Sequence, residues 1–565
     1  MYKRTWVTVA VLCGTLAGSG RASAAPAEVE ALLRAMPGDV PLAGVILNLE
    51  KLDKSIGNAV KTIDPSAKYG GMLADIQNDL PIAKWIDFAK PVGMVQANMM
   101  GGGEPVLWAT VPDFTNKIKT VAAAREENGV WHVPFEGSKT VYAKVKGAHI
   151  AAATDLDVLN AATKEGKTLA DELKAQADLL KDRDALIHLN FDPIRPMALM
   201  GLTQASQFAP MLAMGAAAQG GDPAGLIAVI GTLVEALKKF VEQTAYLDIA
   251  VAAGESTGML TLAAGFKDGE IKNYLAKQKP ASVPLLADMP EQPYLFAMGC
   301  HVPGSESPFF DYFFDKFLAA LTGPPAPGAM PTTPPSPEGV QAAKDAMQIS
   351  RDLYRKVEGW NTVMSFTPNG MRVSGDYIAA DAQPILDLTK KNITTSNPLM
   401  KNFSGGASHE PLGTTKIGDA TVEQYAIKFD TTNPAAAHAA QMMGANSRFY
   451  LGIAAGRVRY AMGTEEDARR VFTGKVEKPL ASTKPVADAI AALPPKRNAL
   501  VLIDPSGILP LLGPMMGMPK TEPLPPGPPL AVSVSISAEP ARVDVHVPYE
   551  AIARMVKALK PTPPT

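Results

Sequence analysis

The chain has 565 residues, with 54 Lys and Arg against 56 Asp and Glu, 47% hydrophobic residues, 19% charged residues and 2 cysteines. A near-neutral charge supplies no basic field for nucleic acid, and the apolar content is too high for a disordered chain. Two cysteines exclude a disulfide scaffold and a four-thiolate zinc site, which leaves a globular protein of two to four domains at roughly 100–200 residues each.

Residues 1–24 have the pattern of an export signal. Lys3 and Arg4 precede the apolar run Val7 to Leu16, no acidic group occurs, and Ala22-Ser23-Ala24 puts small residues before a cleavage point at Ala25. Cys13 follows Leu12 inside the apolar run, which does not suit a lipoprotein signal, so ordinary cleavage after Ala24 is expected. Losing these 24 residues removes three basic groups and no acidic ones, which takes the formal charge from −2 to −5 and leaves Cys300 as a single thiol. No later run reaches about 18 uninterrupted apolar residues, so no transmembrane segment is expected in the mature chain. The expected location is periplasmic or secreted.

Leu42 to Val60 reads as a strand leading into a helix, and Val92 to Val121 as a hairpin around Gly101-Gly102-Gly103 followed by a helix. Gly147 to Lys164 runs glycine, strand, threonine, helix, with Thr154 and Asp157 at the spacing of a capping pair. A strand from Leu186 to Phe191 ends in Asp192-Pro193. The Ala/Met/Leu-rich stretch Met197 to Thr244 reads as helical, and Met197 to Ala218 carries no charge. Leu247 to Ala276 is a hairpin and helix: Leu247, Ile249 and Val251 alternate, Leu260 and Leu262 follow a Gly-rich turn, and Asp268 can cap a helix bearing Ile271 and Leu275.

The same order then recurs. Tyr294 to Leu321 is a strand into a helix, a Pro-rich loop spans 322–339, and Thr362 to Leu388 is a hairpin and helix with Pro368-Asn369-Gly370 as its turn. After an added stretch around Asn402 to Asn446, Gly456 to Lys475 repeats the glycine, strand, threonine, helix order with Thr464 and Asp467. Leu500 to Ile503 ends in Asp504-Pro505, and a second Pro-rich stretch covers Met518 to Pro529. In the last unit Val532, Val534 and Ile536 alternate with serines, and Val543, Val545 and Val547 alternate with Arg542, Asp544 and His546. This predicts a hairpin whose valine face is dry and whose polar side, His546 included, faces solvent. The helix bearing Ile552, Met555, Val556 and Leu559 would pack on the valines.

Between matching elements the offset runs from about 252 to 312 and back to 283. The predicted fold is therefore α+β, with two homologous halves, 27–285 and 290–560. Each is expected to be a mainly antiparallel sheet of ββα and βα units with helices packed on one face.

Chemistry-bearing patterns are sparse. Gly254-Glu255-Ser256-Thr257-Gly258 matches the nucleophile-elbow spacing, yet a strand follows it, so a hairpin turn is expected there. Cys300 and His301 are strand neighbours and point to opposite faces, Cys300 with Phe296 and Met298, which predicts a buried, inert thiol. The seven histidines show no close metal-ligand spacing. Asp311 and Asp315, one turn apart, read as the solvated face of a helix whose other side carries Phe309, Phe310, Phe313, Phe314 and Phe317. Met99-Met100, Met442-Met443 and Met515-Met516-Met518 suit core or turn positions better than copper ligation, although His438 lies near Met442. No cofactor, metal or catalytic residue is assigned. The apolar helices offer the sharper candidate, a groove formed by Met197, Met200, Phe208, Met211, Phe313 and Phe317.

Through its signal peptide, its Gly-strand-Thr-x-x-Asp and strand-Asp-Pro segments, and the order of its elements, the chain resembles secreted bacterial proteins of unknown function built from two duplicated α+β halves. That resemblance implies a fold and no activity. The expected function is an exported non-enzymatic protein that binds a hydrophobic ligand, such as a lipid or peptide, or a protein partner through its apolar helices or the cleft between halves. The alternatives are a hydrolase whose catalytic groups converge from distant positions, and a purely structural envelope protein.

Overall fold

The computed structural model describes residues 26–79, 82–97, 104–135, 139–181, 183–208, 211, 223–301, 315, 337–367, 370–403, 407–429, 434–444, 447–473, 476, 478–508, 527–536 and 540–559. The expected export signal at residues 1–24, the greater part of the 322–339 loop, Phe313 and Phe317 lie outside them. Pro337 already opens the helix Pro337–Lys356, as a proline in a first turn can.

The described chain is α+β and divides into two compact units. One holds residues 26–196, 244–267 and 540–559, and the other 197–243 and 268–536. The division differs from the expected 27–285 and 290–560: residues 540–559 group with the first unit, and 197–243 and 268–285 with the second.

The first unit contains β1 (Leu42–Ile46), β2 (Val92–Gln96), β3 (Val106–Thr110), β4 (Arg125–Glu127), β5 (Val130–Phe135), β6 (Lys139–Lys146), β7 (His149–Ala153), β8 (Ala185–Asn190), β9 (Thr244–Ala253) and β10 (Thr257–Phe266). The second contains β11 (Phe296–Cys300), β12 (Gly359–Thr367), β13 (Gly370–Ile378), β14 (Ser408–Ile417), β15 (Ala420–Lys428), β16 (Arg448–Ala454), β17 (Arg457–Gly463), β18 (Ala499–Ile503) and β19 (Leu530–Ser535); β20 (Ala541–Pro548) returns to the first. All pairings within each unit are antiparallel. In the first unit the order is β4-β5-β6-β7-β3-β2-β1-β8-β9-β10-β20. In the second it is β14-β15-β16-β17-β13-β12-β11-β18-β19.

Helices cover both faces of each sheet, which corrects the expectation of one covered face. In the first unit, Leu107 and Ala109 of β3 join a core with Leu49, Leu52 and Ile56 from the helix Leu49–Ile63. Their neighbours Val106 and Trp108 join a second core with Leu32 and Met36, and with Leu159 of the helix Leu156–Ala162. Continuously apolar strands such as β3 and β7 are what two buried faces require. Gly93 in β2 belongs to the same packing, since a Cβ there would stand 2.3 Å from the Met36 sulfur. In the second unit, Tyr450 packs with Val471 and Phe472 of the helix Glu465–Phe472, while the adjacent Leu451 packs with Leu353 and Ile385 from two other helices.

The polar side of the last strands is buried, contrary to expectation. Ser533, Asp544 and His546 are buried and the valines beside them are only half-buried. Asp544 is tolerated because it is saturated: its Oδ1 accepts the Thr261 hydroxyl at 2.6 Å and Nη2 of Arg542 at 2.6 Å, with Arg183 Nη2 at 3.3 Å. Burial of an ion is sustainable only when it is paired and hydrogen-bonded in this way. For His546, burial lowers the imidazole pKa and favours the neutral ring.

Each unit also has a buried Asx residue at the entry to a central strand. In the first, Asp184 N–H donates to Val251 O at 2.7 Å, its Oδ2 accepts the Ala253 N–H at 2.6 Å, and its carbonyl accepts the Leu47 N–H at 2.8 Å. In the second, Asn498 N–H donates to Val534 O at 2.7 Å, its Oδ1 accepts the Ile536 N–H at 3.0 Å, and its carbonyl accepts the His301 N–H at 2.7 Å.

Candidate functional site

The candidate apolar segment begins where β8 ends. Asn190 Oδ1 accepts the Asp192 N–H at 3.0 Å and starts the helix Phe191–Gln207, with Pro193 in its first turn. The base of this helix is tied down by charge: Asp192 pairs with Arg195 at 2.8 Å and with Lys267 at 2.5 Å, and Arg195 Nη2 also donates to Thr244 O at 2.8 Å. Lys267, then Arg195, hold the Asp192 carboxyl below the usual carboxylate range.

Beyond that base the side chains turn apolar and remain exposed. Met197 is half-buried, whereas Met200, Phe208 and Met211 are 55%, 56% and 61% exposed. In the helix Pro223–Gln243, Thr232 and Val234 are buried, while Leu233, Leu237 and Phe240 face outward at i, i+4 and i+7. A helix apolar on its buried side and on its open side exceeds what one core needs. Of nine exposed large hydrophobic residues in the described chain, six fall between Met200 and Phe240.

Of the six residues assigned to the groove, Met197 and Met200 lie on the helix Phe191–Gln207 and Phe208 and Met211 follow it, with Met200, Phe208 and Met211 exposed. Phe313 and Phe317 lie outside the described residues. Leu233, Leu237 and Phe240 were not singled out from sequence, although their i, i+4, i+7 spacing carried the signal.

Acid–base and nucleophilic groups do not converge among the described residues. His188 Nδ1 lies 2.7 Å from Asp248 Oδ1, both residues buried, so the imidazole is oriented by a carboxylate. Burial pushes the Asp248 carboxyl up, with His188 opposing that shift. No hydroxyl or thiol hydrogen-bonds to His188 there. The Thr110 hydroxyl instead lies 3.2 Å from His149 Nδ1, and among the described residues no carboxylate orients His149; burial, then Lys90, lowers its pKa. The two parts of a catalytic set occur on different histidines. Gly254 to Gly258 link β9 to β10 as a hairpin, and Cys300 is buried with its thiol pushed up to about 12 by desolvation.

Metal-ligand clusters of three or more His, Cys, Asp or Glu are absent among the described residues. Asp315 pairs with Arg351, while Asp311, Met99, Met100, Met515, Met516 and Met518 lie outside those residues. No helix among them is long and apolar enough to cross a membrane. The first unit also has an apolar cavity of about 50 Å³ lined by Gly44, Leu49, Ile76, Met94 and Leu186. Ligand sites hold roughly 300–1,000 Å³, so this one takes at most a few methyl groups.

No family model matches the chain, and a search of curated proteins finds no match. Among solved structures, "Structure of crystal form I of TP0453" is similar at 12% identity over 44% of this chain and 82% of that chain, with a TM-score of 0.21. A TM-score that low carries no inference about fold or function.

Proposed function

We propose that this is an exported, non-catalytic binding protein that takes a hydrophobic ligand or a protein partner on the exposed apolar side chains of Met200, Phe208 and Met211 and of the helix Pro223–Gln243. The observation that carries the proposal is the concentration of exposed large apolar side chains there, six of nine in the described chain. Covering a half-exposed side chain of this size returns on the order of 1 kcal/mol, so either group of three, Met200, Phe208 and Met211 or Leu233, Leu237 and Phe240, supplies useful affinity before the costs of association. Export is supported by Lys3 and Arg4, the apolar run and Ala22-Ser23-Ala24.

The two units are, in the same proposal, copies of one ancestral domain. Support comes from strand order: β6-β7-β3-β2-β1-β8-β9 in one unit has the counterpart β16-β17-β13-β12-β11-β18-β19 in the other. Arg183-Asp184-Ala185-Leu186 and Arg497-Asn498-Ala499-Leu500 make the same backbone bonds at the same place in that order.

Native mass spectrometry of the mature protein, with titration of an apolar fluorescent dye, tests the binding surface. The expected result is a retained ligand or an associated species, with saturable dye binding that Leu233→Glu/Leu237→Glu abolishes. Both positions are exposed, so the variant should fold. A bare monomer that binds no dye, or dye binding unaffected by the double substitution, overturns the proposal.

A further inference from the structure

The second unit holds a cleft separate from the apolar helices. It has a volume of about 720 Å³ and is bounded by Asp288, Asp419, Ile453, Ala455, Arg459 and Phe472. That volume lies within the range of small-molecule sites. Its mouth is shaped by the turn between β16 and β17, where Ala455 and Gly456 both take left-handed backbone conformations, φ 50° and 74°. Two successive left-handed residues make the tight hairpin turn that follows sheet twist, and Asn or Gly usually fills its first position.

Charge in the cleft is arranged unequally. Arg457 is satisfied, pairing with Asp288 at 2.8 Å and Asp376 at 3.0 Å. Arg459 is only 3% exposed, gives Nη1 to Val471 O at 2.6 Å, and keeps a buried Nε with no acceptor among the described residues. It makes no ion-pair contact among them, and neither does Asp419, which is exposed at the rim. A buried guanidinium N–H without an acceptor is costly unless a ligand supplies one. A plain anion on Arg459 would share the cleft with Asp288 and Asp419, and a plain cation on Asp419 would share it with Arg459. A molecule carrying both charges meets neither objection, and Ile453, Ala454, Ala455 and Pro479 offer its body an apolar wall.

We propose that this cleft binds a short peptide with free termini and apolar side chains, its carboxylate on Arg459 and its ammonium on Asp419. The site shares no residue with the Met200–Phe240 surface, so either proposal can fail alone. Isothermal titration of the full mature chain with the dipeptide Leu-Phe, its N-acetyl form and its C-terminal amide tests it. Leu-Phe should bind saturably at one site, and each blocked form should bind at least about tenfold more weakly, the scale of one charge-assisted hydrogen bond. Asp419→Asn, at an exposed position, should bring Leu-Phe down to the level of its N-acetyl form. Absence of saturable binding by Leu-Phe up to millimolar concentration, equal binding of either blocked form, or an Asp419→Asn protein that still discriminates would each overturn the assignment.

Discussion

Thr261 of β10 donates its hydroxyl to Asp544 of β20 at 2.6 Å, and the two residues are directly paired across the strands. This bond, with Arg183 and Arg542 on the same carboxylate, attaches the C-terminal strand to the first unit. Asp544→Ala removes an acceptor that three donors share and leaves the Arg183 guanidinium buried without it. Breaking a buried pair from one side costs about 3–5 kcal/mol. Urea melts should show a loss of that order, with faster hydrogen exchange in β20. A loss below about 1 kcal/mol would mean that the network does not hold the strand.

Asp184 carries a pH signature that its counterpart Asn498 cannot. Burial raises the Asp184 carboxyl pKa, and the Ala253 N–H and Lys51, 3.0 Å away, only partly oppose it. The folded state thus holds its proton more tightly than the unfolded chain does. Its stabilising contribution is complete below the unfolded carboxylate value of about 3.9 and declines as pH rises through the raised folded value. Asp184→Asn keeps an acceptor for Ala253, as Asn498 does for Ile536, and removes the decline. Urea melts at pH 4.5 and 7.5 should show that stability falls less, or rises more, across this interval in the variant than in the parent. An identical pH dependence in both proteins would contradict the account.

Local order was legible where one side-chain period dominated. The alternation at Leu247, Ile249 and Val251 and the turn at Gly254 to Gly258 correspond to β9, β10 and their hairpin. The same reasoning misjudged β20, because alternation separates two faces without saying which is buried. Arg183, 361 residues away in sequence, satisfies Asp544 and makes its polar face the inner one. Helices on both sides were likewise hidden in strand-by-strand reading, although the unbroken apolar run Val106 to Ala109 already hinted at them. For the apolar segment, composition found the region but only the fold shows that Leu233 faces out and Val234 in. The charged cleft had no sequence signal, since Asp288, Asp419 and Arg459 meet only through the tertiary fold.

Cys300 should be chemically silent in the folded protein. It is buried in β11 and desolvation alone pushes its thiol up to about 12. At pH 8 the thiolate fraction is then on the order of one in ten thousand, against about one in four for a free thiol near 8.5. A disulfide reagent should leave Cys300 unmodified in the native protein and modify it in denaturant. Stoichiometric labelling of the native protein within minutes would show that the site opens far more readily than its burial implies.

Thr154 and Thr464 have the same sequence spacing to an aspartate but different roles. Thr464 caps the helix Glu465–Phe472, its hydroxyl accepting from the Asp467 N–H while the Asp467 carboxylate accepts from the Thr464 N–H. At the matching position Asp155 is the cap instead, taking the Asp157 and Val158 N–H groups at 2.8 and 3.1 Å, and the Thr154 hydroxyl is buried with no partner among the described residues. Losing a cap costs about 1 kcal/mol, so Thr464→Ala and Asp155→Ala should each destabilise by that amount. Thr154→Val replaces an unsatisfied hydroxyl by a methyl of similar volume, and relieving that desolvation should leave stability unchanged or raise it by about 1 kcal/mol. Urea melts of the three variants separate the cases: a Thr154→Val protein weakened as much as Asp155→Ala would place the cap on Thr154 after all.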